Sequence, residues 1–156
     1  MPIYYLMVGI PGSGKSTYAK ELGCRIVCPD TIRETHRIGS PEAFAITRQQ
    51  IKEALEAGED VVFDATNTLR QYRADMIDAG KPHADRTVCI WMDVPIKVCI
   101  ARHLERMKSG VRTTLPVEVI ERMSGQLVDN PPDLSEGFDE IWRIRWEEKS
   151  ESGRPA

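Results

Sequence analysis

Apolar stretches rich in β-branched and aromatic residues alternate along the chain with longer segments in which polar and apolar residues recur at helical spacing. Five apolar runs predict strands, at residues 3–8, 25–27, 60–63, 86–94 and 140–144. Helix-length segments lie between them, near residues 15–23, 41–57, 69–79, 95–108 and 116–128. Because strands with few polar positions are usually buried on both faces, the pattern predicts an α/β fold with a parallel sheet of about five strands and helices on both faces.

The length and the local punctuation of the chain predict one domain. Its 156 residues suit a single unit of ordinary size, which we place at residues 1–146. Ser40 is expected to cap the helix that begins with Pro41, and Gly58 is expected to end that helix. The segment 147–156 is charged and has no large apolar side chain, so we expect a flexible tail there.

Charge and composition narrow the class of protein. A net charge of −3 argues against a protein that coats nucleic acid non-specifically, because such binding depends on neutralising many phosphates. No apolar run approaches the roughly 20 residues of a membrane span, and the chain opens on a strand rather than a leader. We therefore expect a soluble, cytoplasmic protein, in the host cytoplasm if it is encoded by a phage. Its four cysteines form no Cys-x-x-Cys pair and are expected to be reduced.

The stretch "GIPGSGKST" follows the first predicted strand and precedes a helix. It has the spacing Gly-x-x-x-x-Gly-Lys-Ser, and that context predicts a loop whose backbone N–H groups surround the phosphates of a nucleoside triphosphate. Lys15 is expected to reach the β- and γ-phosphates and Ser16 to bind Mg²⁺. The predicted nucleotide-binding residues are Gly9, Gly12, Ser13, Gly14, Lys15, Ser16 and Thr17. The guanine-selecting string Asn-Lys-x-Asp is absent from the sequence, which disfavours a switch GTPase.

Asp30 and Arg33 follow the second strand, close to the edge of the sheet where open α/β proteins bind ligands. If their segment is helical, a spacing of three puts them on one face. A carboxylate there could accept the proton of an incoming hydroxyl, and the arginine could hold a phosphate of the acceptor. The alternative is that Asp30 caps a helix and Arg33 is an ordinary surface residue.

Asp64 follows the third strand in "VVFDATN", the position at which many phosphate-loop proteins hold Mg²⁺. Thr66 and Asn67 could order the loop after it, and a helix cap is again the alternative for Asp64. Farther along, Arg102 and Arg106 are four residues apart on a predicted helix that leads to Arg112, and together they could form a short lid over the triphosphate. A solvated basic helix face is the alternative for these arginines. His36 and His103 are expected to be exposed.

These motifs, taken in order, resemble those of the polynucleotide 5′-hydroxyl kinases, whose kinase modules occur in bacteriophage and bacterial RNA-repair proteins. The resemblance covers about residues 3–145 and includes "GIPGSGKST", "DTIR", "DATN", "DVP" with the arginine-bearing helix, and "LPVEVIERM". It implies a P-loop kinase fold in which ATP and metal are bound by Lys15 and Ser16. It also implies that Asp30 is the general base, that Arg33 holds the acceptor phosphate, and that Arg102 and Arg106 grip the ATP phosphates.

The sequence thus predicts an ATP- and Mg²⁺-dependent kinase that phosphorylates the 5′-hydroxyl end of DNA or RNA, with Lys15, Asp30, Arg33, Arg102 and Arg106 in catalysis. Ser16 and Asp64 are the predicted metal ligands. Two alternatives stay open. One is a kinase for a nucleoside, another small metabolite or a hydroxymethylated base, and the other is a nucleotide-binding module without transfer activity.

Overall fold

The computed structural model describes residues 2–110 and 115–146. Its strands are β1 Ile3–Val8, β2 Arg25–Val27, β3 Val61–Phe63, β4 Arg86–Asp93 and β5 Glu140–Arg145. Its α-helices are α1 Lys15–Glu21, α2 Pro29–His36, α3 Ser40–Glu56, α4 Arg70–Gly80, α5 Ile96–Lys108 and α6 Val117–Asp129, and short 3₁₀ turns lie at Lys81–His83 and Leu134–Glu136. Two expectations, the tail at 147–156 and the role of Arg112, lie outside the described residues.

All five strands are parallel and lie in the order β2-β3-β1-β4-β5. β1 is central: Leu6 pairs with Phe63 of β3 on one side and with Cys89 of β4 on the other. The chain runs from β1 outward to β2 by way of α1 and later crosses back to β4, so the strand order reverses beside β1. Ligands of open α/β sheets bind at such a reversal, beyond the carboxyl ends of the strands.

Both faces of the sheet are buried, as the apolar strands predicted. Tyr4, Leu6 and Val8 of β1 pack into the core cluster on one face. Met7 belongs to the cluster on the opposite face, together with Val88 and other residues. The alternation follows from the period of two along a strand, and it explains why β1 contains no polar residue.

One predicted helix start is wrong. Ser40 is the first residue of α3 and not its cap, because Gly39 occupies the cap position in extended backbone and no side chain caps the helix. The hydroxyl of Ser40 instead accepts a hydrogen bond from Arg33 Nη1 at 3.4 Å. Gly58 does end the helix as expected, since its φ of +85° is a conformation that glycine adopts at little cost.

The described part of the chain holds no helix both long enough and apolar enough to cross a membrane. All four cysteines are described and none forms a disulfide. Burial raises the pKa of the Cys89 thiol to about 12, so this side chain is an unreactive part of the core.

Candidate active site

The phosphate loop lies between β1 and α1 and rests against the helix α5. Gly12 has a φ of +89°, and a Cβ atom there would lie 2.6 Å from the carbonyl oxygen of Cys99 in α5. A Cβ atom at Gly9 would lie 2.5 Å from Ser13 Oγ. Only glycine fits at position 12, where the close contact is with backbone, while a side chain at position 9 would displace Ser13; the loop backbone therefore packs closely at both positions.

Lys15 is the first residue of α1 and points into the space enclosed by the loop, where it is half-buried. Desolvation lowers the pKa of its ammonium group, an effect that the nearby Asp64 carboxylate opposes and the nearby Arg106 guanidinium reinforces. An anion bound in the loop would offset this desolvation. The environment of Lys15 is thus suited to the phosphates of a nucleotide.

Ser16 and Asp64, the two predicted metal ligands, lie in direct contact. Ser16 Oγ donates a hydrogen bond of 2.7 Å to Asp64 Oδ2. Asp64 is only 6 % exposed, and its Oδ1 atom has no hydrogen-bond partner among the described residues. A buried carboxylate oxygen without a partner is costly, and Mg²⁺ prefers oxygen ligands of this kind, so the pair fits a magnesium ion. Asp64 does not cap α4, whose cap is Leu69.

The segment after Asp64 is fastened to the phosphate loop. Gly9 N donates to Thr66 O at 3.0 Å, and Asn67 Nδ2 donates to Met7 O at 2.7 Å. Asn67 has a φ of +50°, an uncommon conformation that asparagine tolerates better than most residues. Thr66 and Asn67 therefore do order this loop, as the sequence suggested.

Arg73 of α4 also holds this segment in place, although nothing in the sequence singled it out. Its side chain is fully buried, forms an ion pair of 2.7 Å with Glu136, and donates to Asn67 O at 2.9 Å and to Asn130 O at 2.8 Å. In sequence, Arg73 looks like one more polar position of an amphipathic helix. Its partners lie 57 to 63 residues away in two cases, which no local pattern could reveal.

Asp30 and Arg33 lie on α2, which begins directly after Cys28. Asp30 is in the first turn and does not cap the helix, because Cys28 holds the cap position. Arg33 Nη2 donates to Asp30 Oδ1, and the two side chains are 31 % and 77 % exposed respectively. One carboxylate oxygen of Asp30 is thus held by Arg33 while the group remains open to the cleft.

The two arginines of α5, Arg102 and Arg106, differ in their hydrogen bonding. Arg102 Nη1 donates to Gly12 O at 3.0 Å, so this side chain is docked on the phosphate loop. Arg106 lines the same cleft, and among the described residues its guanidinium has no hydrogen bond or ion pair in the structure. Both arginines line the same cleft, in keeping with the helical spacing that puts them on one face of α5.

The expectation that His103 is exposed is wrong. This residue is fully buried, and its Nε2 atom lies 2.7 Å from the carbonyl oxygen of Leu115. It lies four residues after the buried Cys99 on the inner face of α5, a helix that packs against α6, and the sequence pattern did not indicate that packing. His36, by contrast, is exposed as expected.

A single open cleft of about 1410 Å³ brings these groups together. It is lined by the phosphate loop, by Asp30 and Arg33, by Asp64, and by Arg102 and Arg106. Gly9 stands behind this surface, where it makes room for Ser13. Sequence reasoning missed the far wall of the cleft, formed by side chains of α3 and α4 that include Phe44, Arg48, Tyr72 and Asp75.

The sequence matches a family model described as an AAA domain over residues 5–129, and the chain therefore belongs to that family. An L-seryl-tRNA(Sec) kinase of Methanococcus maripaludis is 28 % identical over 131 residues, which are 76 % of this chain and 49 % of that protein. A protein of Arabidopsis thaliana named transcription factor bHLH140 is 27 % identical over 89 % of this chain and 15 % of its own length. The chain thus spans half or less of the curated relatives it matches.

Solved structures share the fold. The Pnkp1/Rnl/Hen1 RNA repair complex contains a chain with a TM-score of 0.74 and 24 % identity, aligned over 88 % of this chain and 46 % of that one. Chaetomium thermophilum Kti12 in complex with ADP-AlF3 gives 0.69 and 14 %, over 96 % and 92 %. A gluconokinase from Sinorhizobium meliloti gives 0.58 and 18 %, over 92 % and 82 %. At these identities the likeness shows the P-loop kinase fold alone.

Proposed function

We propose that this member of the AAA domain family is a kinase that transfers the γ-phosphate of ATP, bound with Mg²⁺, to the 5′-hydroxyl end of DNA or RNA. One observation carries the proposal: an open Asp30 carboxylate with Arg33 beside it lines the same cleft as Lys15, Ser16 and Asp64. A protein that only binds nucleotides needs no carboxylate at that place. A kinase needs one to accept the proton of the attacking hydroxyl.

The donor half of the site consists of the phosphate loop with its neighbours. Magnesium supplies divalent charge that neutralises the triphosphate, and the Ser16 hydroxyl with the unpartnered Asp64 Oδ1 would hold it. The phosphates would be bound by the backbone N–H groups of residues 12 and 14–17 and by the Lys15 ammonium group. Arg106, which has no partner among the described residues, is free to stabilise the charge that develops during transfer.

The acceptor half consists of Asp30 and Arg33. The acceptor oxygen attacks the γ-phosphorus, the bond from that phosphorus to the β–γ bridging oxygen breaks, and ADP leaves. Asp30 accepts the proton of the hydroxyl through the oxygen that Arg33 does not hold. The guanidinium of Arg33 would bind the 3′-phosphate of the terminal nucleotide, since a planar fork of donors suits phosphate oxygens.

The comparisons support a kinase more strongly than they support one acceptor. The RNA repair complex and the seryl-tRNA kinase favour a hydroxyl carried on RNA. The gluconokinase favours the second candidate, a small hydroxylated metabolite. A 5′-hydroxyl end is preferred because Arg33, beside the Asp30 carboxylate, gives the phosphate of a nucleotide a place to bind.

The cytoplasm suits the protein, because thiols such as those of Cys89 and Cys99 stay reduced there.

The test is a comparison of acceptors with the wild-type protein and radiolabelled ATP. A 5′-hydroxyl oligonucleotide and a nucleoside 3′-monophosphate should be phosphorylated with kcat/KM roughly ten- to a hundredfold above that of the bare nucleoside, because only the first two present a phosphate to Arg33. Equal use of the bare nucleoside would overturn the 5′-end proposal. Gluconate and other sugars in the same panel test the second candidate.

A further inference from the structure

The far wall of the cleft has no part in the donor and base chemistry described above. Ser40, Phe44 and Arg48 of α3 line it, together with Tyr72 and Asp75 of α4, the helix that packs against α3. α2, which carries Asp30 and Arg33, packs against α3. The far wall therefore lies next to Asp30 and Arg33, the proposed acceptor groups.

Three residues of α3 form a row that begins beside Arg33 of α2. Ser40, Phe44 and Arg48 are spaced four residues apart, so they lie along one face of the helix at intervals of about 6 Å. Arg33 donates a hydrogen bond to the first of them, Ser40. Arg48 is therefore about 12 Å along the helix axis from Ser40, which places its charge farther along the cleft than the Arg33 guanidinium.

Two aromatic rings line the cleft, one on each of the neighbouring helices α3 and α4. Tyr72 is 52 % exposed, and no other aromatic side chain among the described residues belongs to the exposed class. Phe44 is half-buried and packs against the core, which fixes its position while leaving part of it toward the cleft. Aromatic side chains placed in this way are stacking surfaces for the bases of single-stranded nucleic acid.

The charged groups of the wall are available to a ligand. Arg48 is exposed and forms no ion pair or hydrogen bond with its side chain among the described residues. Asp75, on the α4 side, would repel a phosphate but can accept a hydrogen bond from a base amine. A phosphate would therefore pass along the α3 side of the cleft, toward Arg48.

We propose that Phe44 and Tyr72 form a subsite for the terminal base of a single-stranded acceptor, and that Arg48 binds a backbone phosphate beyond the one held by Arg33. The inference rests on the proposed function and makes it more specific. A sugar or a small alcohol has no flat ring to stack and no second phosphate. The row on α3 thus selects a nucleic acid strand.

The first experiment removes the aromatic ring of Tyr72 from the protein and, separately, the nucleobase of the terminal nucleotide from the acceptor. Tyr72→Ala should lower kcat/KM about five- to a hundredfold for a 5′-hydroxyl oligonucleotide, because stacking on one aromatic side chain contributes about 1–3 kcal/mol. It should have no effect on an oligonucleotide whose terminal nucleotide lacks its base, or on the KM for ATP. Tyr72→Phe, which keeps the ring, is the control and should behave as the wild type. Equal losses with both acceptors would overturn the base subsite.

Phe44 needs a gentler change, because it packs against the core. Phe44→Leu keeps the apolar contacts and removes the ring, and its thermal unfolding midpoint should stay near that of the wild type. It should nevertheless show a loss of the same kind as Tyr72→Ala, confined to the acceptor that carries a terminal base. A full wild-type rate with that acceptor would remove Phe44 from the subsite.

The second experiment concerns Arg48. Arg48→Ala should lower kcat/KM roughly tenfold for an oligonucleotide of several nucleotides and leave the rate with a nucleoside 3′-monophosphate unchanged, since that acceptor has only the phosphate assigned to Arg33. Lys52→Ala, which removes an exposed positive charge one turn farther along α3 and outside the cleft, is the matched control. The same loss with Lys52→Ala would mean that only net charge matters.

Different results would contradict the proposed kinase function and the proposed subsite on α3 and α4. If the wild type phosphorylates neither oligonucleotides nor nucleoside 3′-monophosphates, the proposed function and this inference fail together. If the wild type uses oligonucleotides well but Tyr72→Ala and Arg48→Ala match it with every acceptor, the inference alone fails.

Discussion

The two halves of the cleft are built by different means. The donor half is formed largely by backbone: the loop from Gly9 to Gly14 folds so tightly that a methyl group at Gly12 would meet Cys99, and hydrogen bonds tie it to the segment after Asp64. The acceptor half is formed by side chains on α2, α3 and α4, most of them exposed and several without partners in the described residues.

The difference predicts how each half responds to change. A tight backbone loop binds the triphosphate in the same manner whichever acceptor is present. Substitutions in the donor half should therefore lower activity strongly and to the same extent with every acceptor. Exposed side chains on three helices can be exchanged without harm to the core, and single substitutions there should alter the choice of acceptor. Four substitutions test this contrast.

Lys15→Ala should have the largest effect, because it removes the one lysine of the phosphate loop. Phosphoryl transfer to every acceptor should fall by on the order of 10³-fold or more, since the charge acts on the phosphates in a desolvated position. Turnover is measured with saturating acceptor and varied ATP. Lys20→Ala, an exposed lysine of the same helix outside the cleft, is the control, and comparable losses from the two variants would contradict a specific role for Lys15.

Asp30→Asn should have the next largest effect and should separate transfer from binding. The amide cannot accept the proton of the hydroxyl, so transfer should fall roughly 10²-fold or more while the affinity for ATP is retained. Equilibrium binding of a fluorescent ATP analogue, measured beside turnover, checks both. Glu34→Gln on the exposed side of α2 is the control. Unchanged turnover in Asp30→Asn would favour the nucleotide-binding module without transfer activity.

Arg33→Ala should affect the acceptor half alone. We expect kcat/KM for a 5′-hydroxyl oligonucleotide to drop about ten- to a hundredfold, because a charge-assisted hydrogen bond contributes roughly 1.5–3 kcal/mol. The KM for ATP should stay close to that of the wild type, which makes the donor half its own internal control. A matching rise in the KM for ATP would show that the two halves are not separate.

Ser40→Ala should have the smallest effect. It removes a long hydrogen bond that helps to orient Arg33, so the loss in kcat/KM for the oligonucleotide should be about two- to tenfold. In the Arg33→Ala background the same change should have no further effect, which a double-mutant cycle measures directly. Independent, additive losses would mean that Ser40 touches the acceptor itself.

Local patterns predicted much of the fold and the donor half. Each of the five strands lies within a residue or two of its predicted limits, because strands buried on both faces leave a nearly uninterrupted apolar signal. Ser16 and Asp64, which the motif and the strand before each of them singled out as metal ligands, lie within hydrogen-bond distance of each other. The remaining roles of the site residues stay predictions until they are measured.

Errors and omissions occurred where the partner is distant in sequence. His103 was expected at the surface, yet it is fully buried and its Nε2 atom lies 2.7 Å from the carbonyl oxygen of Leu115. Ser40 resembles a helix cap by sequence, but its hydroxyl accepts from Arg33. Arg73 resembles a surface residue of an amphipathic helix, although it is fully buried against Glu136.

The sequence by itself determined the sheet, the phosphate loop and the carboxylates that follow β2 and β3, because each of these depends on residues that are neighbours in the chain. Only the tertiary structure decided which side chains complete the acceptor half. Phe44, Arg48 and Tyr72 come to one cleft because α3 packs against α2 and also against α4. Helix packing depends on the buried apolar faces of the helices. The sequence pattern of those faces does not reveal which exposed side chains will line the same cleft.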